Sequence, residues 1–105
     1  MKNRNKLLSM IGFAYKAGKV VSGQDPTKLA LRKNNIKLLI IAEDASDNTK
    51  NRFINSARYY HIPYIICLTK EELSMSIGLR IRSVIGILDE NIAKGLISLM
   101  VNNGH

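Results

Sequence analysis

Glu43 and Asp44 stand side by side at the end of the apolar run "IKLLIIAED". Paired carboxylates at the C-terminal end of a strand can hold Mg²⁺, and open α/β sheets place ligands there. The same position also allows a structural role, with both groups solvated or Asp44 accepting backbone N–H bonds as the chain turns. No nucleophile or second catalytic partner accompanies them. His61 and His105 have no cysteine or second histidine at metal-ligand spacing. Cys67, the single cysteine, lies in an apolar run where it reads as a small hydrophobe. Neither the P-loop nor the dinucleotide-binding glycine pattern occurs. The residues therefore point away from catalysis and from a cofactor; a small metal-dependent phosphoryl enzyme built on Glu43 and Asp44 is the enzymatic alternative.

A second stretch suits recognition of phosphate. In "SGQDPTKLALRKN" a turn at Gly23 runs into a helix carrying Lys28, Arg32 and Lys33. Asp25 is expected to be the N-cap, with Pro26 at the first helical position, where its missing N–H costs nothing. The unpaired N–H groups and partial positive charge of such a helix start suit phosphate or base-edge acceptors. The charge balance agrees. The net charge is +8, and residues 1–37 hold nine Lys/Arg against the single acid Asp25, whereas residues 38–105 hold seven of each sign. A surplus confined to one third of the chain is the footprint of a polyanionic partner. The alternative is solubility charge on solvated faces.

The elements that must position these residues follow from periodicity. Leu7, Leu8, Ile11, Ala14 and Tyr15 mark one face of a first helix, closed near Ala17-Gly18. Ser9, Gly12, Tyr15 and Lys16 interrupt that apolar stretch, so it reads as an amphipathic helix and not a secretory leader. "KVVSG" is a short strand, followed by the Gly23 helix. "IKLLIIAED" is a strand covered on both faces. Ser46 or Asp47 caps a helix with Phe53, Ile54, Ala57 and Tyr60 inward, and Pro63 stops it. "YIICL" is a second buried strand. Thr69 and Glu72 form a capping box for a short helix ending at Gly78. "LRIRSVIGIL" is strand-like from its start, and Asp89 caps a last helix. Helices alternating with strands in one chain of 105 residues imply a single domain over residues 1–105. The fold class is α/β, a three-layer α/β/α sandwich around a mixed sheet of about four strands.

"GKVVSGQDPTKLALRKNNIKLLIIAED", the "H-I-P-Y" entry to the next strand, and Lys70, Leu73 and Gly78 in this order resemble the kink-turn-binding ribosomal proteins of the L7Ae family. The similarity is to its small bacterial, YlxQ-like branch and spans roughly residues 8 to 100. It implies the same sandwich, and RNA binding by the start of the second helix and by a loop leading into the last strand. Sharply bent RNA exposes bases that a regular duplex hides. The family signature Gly-x-Asn-Glu-x-x-Lys begins at Gly23, but Asp25, Pro26 and Leu29 stand at its Asn, Glu and Lys positions. Each base-specific interaction that these replacements remove is worth about 1–3 kcal/mol. Lys28 and Arg32, four apart, can supply phosphate contacts instead, which position without reading sequence. In the second element Leu79 and Ile81 can pack an extruded base, while Arg80 and Arg82 engage backbone or stack; otherwise they are ordinary alternating strand residues. Lys70 matches a family lysine beside that nucleotide, and Ser46 replaces a family acid.

The expected RNA-binding residues are thus Gly23, Gln24, Asp25, Lys28, Arg32, Lys70, Leu79, Arg80, Ile81 and Arg82, with no catalytic or metal-binding residue and no cofactor. The expected partner is structured RNA, ribosomal RNA first, bound by a cytoplasmic monomer with no membrane and no small-molecule substrate. The alternative outside catalysis is a protein-interaction module of the same fold, favoured by the altered Asp25, Pro26 and Leu29.

Overall fold

The computed structural model describes residues 4–78 and 80–103. In chain order it has α1 (Arg4–Lys16), β1 (Val20–Ser22), α2 (Gln24–Arg32), β2 (Leu38–Ile41), α3 (Asp47–Tyr59), β3 (Tyr64–Ile66), α4 (Lys70–Ile77), β4 (Val84–Ile87) and α5 (Glu90–Asn103). The strands form one mixed sheet in the order β1-β4-β2-β3. β4 is antiparallel to both neighbours, pairing Val21 with Gly86 and Leu39 with Gly86; β2 and β3 are parallel, with Ile40 opposite Ile65. This is the α/β sandwich the alternation implies.

The two central strands explain the core. All four residues of β2 and all four of β4 are buried, as unbroken apolar runs between helical layers should be. α1 packs on α4 and α5, while α2 lies over β1 and β4 and α3 over β2. α1 contributes Leu7, Ile11 and Ala14, spaced at one helical face, and α3 contributes Phe53 and Ala57. Tyr15, expected on the inner face of α1, is exposed. The Ser46 hydroxyl caps α3 by accepting from the Thr49 N–H at 3.1 Å. Asp89 caps α5 through Ile92 N–H at 2.9 Å.

Three further expectations need correction. Asp25 does not cap α2. The helix begins two residues earlier than expected, at Gln24, its N-cap is Gly23, and no side chain makes the capping bond. The Gly23 carbonyl instead accepts from Thr27 N–H at 3.2 Å, which leaves Asp25 and Pro26 exposed in the first turn. β3 is not the buried strand expected: Tyr64 and Ile65 are half-buried and Ile66 is 41% exposed, and at the edge of the sheet it pairs with β2 alone. β4 begins only at Val84. The Arg82 N–H donates to the Ser74 hydroxyl at 2.8 Å, so it is not available to a strand ladder.

Candidate nucleic-acid interface

Two loops meet where β1 ends and β4 begins. Gly23 holds φ 90° and ψ 157°, a conformation open to glycine and strained for any residue with a Cβ. Its N–H donates to the Val84 carbonyl at 3.2 Å, tying the start of α2 to the start of β4. A Cβ placed on Gly23 would stand 3.7 Å from Nε of Arg82. The same Nε reaches the Ser22 hydroxyl at 3.4 Å. Residues 59 positions apart in the chain, Gly23 and Arg82, are therefore neighbours in space.

The second loop is held from below by α4. Gly78 ends that helix in the left-handed region, at φ 68° and ψ 26°, where a glycine cap is favoured. Ser74, buried at 5% exposure, accepts from the Arg82 N–H and donates its hydroxyl to the Lys70 carbonyl at 2.7 Å. One buried hydroxyl thus connects Lys70 to Arg82. The start of α4 is fixed in turn, because Lys70 N–H donates to the Asp44 carboxylate at 2.8 Å and Thr69 with Glu72 completes the capping box. Ile81 projects with 60% of its surface exposed, and Arg80 is exposed beside it. Among the described residues neither Arg80 nor Arg82 pairs with a carboxylate.

Gly23 and Gln24 at the start of α2, Lys70 at the start of α4, and Arg80, Ile81 and Arg82 before β4 are thus linked through the bonds of Gly23, Val84, Ser74 and Arg82. Asp25 and Lys28 are exposed on the first two turns of α2. Arg32 is not part of the junction; it ends α2, eight residues after Gln24 and so roughly 12 Å along the helix. Leu79 lies outside the described residues. Leu29, at the family's lysine position, is 51% exposed. The alternating-strand reading of Ile81 fails, because residues 80–83 precede β4.

Two residues at the junction escaped the sequence. Nothing local in the sequence marks Ser74, whose link to Arg82 spans eight positions. Arg52 of α3 donates to the Gln24 side-chain amide, a contact across 28 positions with no local sequence signal.

The carboxylates are engaged elsewhere. Arg4 pairs with Glu72 and stands 3.6 Å from Glu43. The Arg4 guanidinium, with help from the Thr69 N–H, holds the Glu72 carboxyl down at about 2. One of the nine N-terminal cations is thereby committed to an intramolecular ion pair. Asp44 holds α4, and among the described residues no three His, Cys, Asp or Glu side chains gather as metal ligands. Burial, reinforced by the Glu43 charge, pushes the Cys67 thiol up to about 11, which suits a packed thiol and not a nucleophile. The Ser46 hydroxyl is used within the cap of α3. No described helix is long and apolar enough to cross a membrane.

Comparison with known proteins places this geometry. A protein from Enterococcus faecium named RNA-binding protein YlxQ is 36% identical over 92 residues, covering 88% of each chain. The protein of the same name from Bacillus subtilis is 37% identical over 91 residues, covering 87% of this chain and 91% of the relative. A solved structure of a protein of unknown function from Bacillus halodurans C superposes with a TM-score of 0.87 at 28% identity, covering 90% of this chain and 96% of that one. The Giardia lamblia 15.5kD RNA binding protein, at 16% identity and TM-score 0.78 over 98% of this chain and 88% of its own, shares the fold. The sequence profile of one family matches residues 5–97. On that match, and on the relatives that accompany it, the chain belongs to the ribosomal protein L7Ae/L30e/S12e/Gadd45 family.

Proposed function

We propose that this protein binds a structured RNA, bent or bulged, without chemistry, through the surface made by the Gly23 turn and the 80–82 loop and flanked by Lys70. One observation carries the reading: a Cβ on Gly23 would stand 3.7 Å from Nε of Arg82, so the two elements are neighbours and can offer one continuous contact. Around it the Gly23 helix start supplies N–H groups, Ile81 an apolar face for an unstacked base, and Arg80 and Lys70 phosphate contacts. The names of the relatives from Enterococcus faecium and Bacillus subtilis support RNA as the partner. The similarity to the large ribosomal subunit protein eL8 of Picrophilus torridus, 26% identical over 84 residues that make up 79% of this chain and 66% of that protein, supports a ribosomal RNA target. In this reading the protein acts as a monomer in the cytoplasm, and Asp25, Pro26 and Leu29 leave shape and phosphate to carry more of the recognition than base edges.

A second reading has an observation in its favour. Leu29 is half exposed where the signature has lysine, as a protein-binding surface would require. Electrophoretic shift against a kink-turn, a plain duplex and a tetraloop hairpin decides between them. The RNA reading predicts preference for the kink-turn and a steep loss of binding with salt. Equal affinity for all three leaves a generic polyanion binder, and no binding at low salt favours the protein-interaction module.

A further inference from the structure

We infer that the groove between α2 and α3 is a second RNA contact, taking the sugar-phosphate backbone of the strand that passes the Gly23 turn. The inference rests on the RNA-binding reading above and extends it onto α3, an element outside both contact loops.

The groove has a volume of about 320 Å³ and is lined by Lys28, Arg52, Phe53, Asn55 and Ser56. That is at the small end of the range for ligand sites, about 300–1,000 Å³, enough for a nucleotide-sized fragment. Its chemistry is rich in donors. Lys28 and Arg52 carry positive charge, Asn55 and Ser56 add neutral hydrogen-bonding groups, and no carboxylate is among the lining residues. Phosphate oxygens and ribose hydroxyls match that set. Phe53 supplies an apolar floor, 3% exposed.

Arg52 is held in place and not trailing in solvent. Its guanidinium carbon stands 5.8 Å from the centroid of the Phe53 ring, within cation–π range, and one of its N–H groups donates to Gln24. Lys28 is one turn after Gln24 on the same helical face. The three side chains form a step leading from the helix start into the groove. The acids of these two helices, Asp25 and Asp47, sit in the first turns, and neither forms an ion pair with Lys28 or Arg52 among the described residues. A strand held at the Gly23 turn and Arg82 would meet two further cations here, with exposed Asp25, three residues before Lys28, as the one acid of α2 beside its path.

The test is fluorescence-anisotropy titration of a labelled kink-turn RNA over a range of salt concentrations. Wild type is compared with Arg52→Ala, Arg52→Lys, Lys28→Ala, Gln24→Ala and Arg82→Ala. Arg52→Ala and Lys28→Ala should each weaken binding about three- to tenfold and reduce the slope of log K against log salt by about one. Arg52→Lys should retain the slope, because it keeps the charge. Gln24→Ala removes no charge and should leave the slope unchanged even where it lowers affinity, which separates a direct phosphate contact from loss of the Arg52–Gln24 bond. Wild-type affinity and slope in both alanine variants, with Arg82→Ala weakened, would overturn the groove and leave the RNA reading standing. Wild-type protein that binds no RNA at low salt would overturn both.

Discussion

Thr27 shows how local chemistry at the interface is constrained by the fold. It is fully buried on α2, and its hydroxyl has no hydrogen-bond partner among the described residues. A buried hydroxyl left unpaired costs about 1–3 kcal/mol, and a methyl of the same shape removes that cost. Thr27→Val is therefore expected to stabilise the protein by about 1 kcal/mol in urea denaturation, with RNA affinity unchanged, since the side chain faces the core. Destabilisation would show that the hydroxyl has a partner. At this scale the sequence was readable where backbone geometry dictates the residue. Gly23 and Gly78 were identifiable because a turn before a helix and a stop after one both favour glycine. Asp25 was misleading because Asp-Pro is a common helix start, whereas here the Gly23 conformation sets the boundary. Arg52 and Ser74 were invisible because their roles depend on partners brought close only by the sheet.

Among the elements, α4 organises the second loop. The capping box at Thr69 and Glu72 fixes its start, Gly78 fixes its end, and the Arg4–Glu72 pair binds that start to α1. This gives the fold an acid dependence whose sign follows from Glu72. Its carboxyl is lowered from its usual 4.5 to about 2, so the pair stabilises the folded state above pH 4.5 and loses that contribution as the pH falls towards 2. Arg4→Met should flatten the stability profile in that window, with urea midpoints converging on wild type at its acid end. The pair is partly exposed, so the change should be modest. A variant profile as steep as wild type would assign the acid loss to other groups. The order of all nine elements was legible because apolar periodicity and helix stops are local signals. The start of β4 and the edge position of β3 were not, since both depend on which strands lie alongside.

For the molecule as a whole, the mixed sheet does what charge composition alone cannot. Pairing β1 with β4 carries Gly23 to the 80–82 loop, so that Arg82, distant in the chain, stands beside the start of α2. The net charge of +8 announced a polyanion, but it did not say which cations face it. Arg4 turned inward to acids and Arg32 ended far along α2, whereas Lys28, Lys70, Arg80 and Arg82 make no ion pair among the described residues. Four phosphate contacts of this kind correspond to a salt slope of about 3 to 4. The most direct test is amide chemical-shift mapping of the protein by NMR as a kink-turn RNA is added. The account predicts that Gly23, Gln24, Lys70, Arg80, Ile81 and Arg82 shift together at the same RNA concentration, while the β3 edge stays unperturbed. Shifts confined to one of the two loops, or centred on β3 and α5, would contradict it.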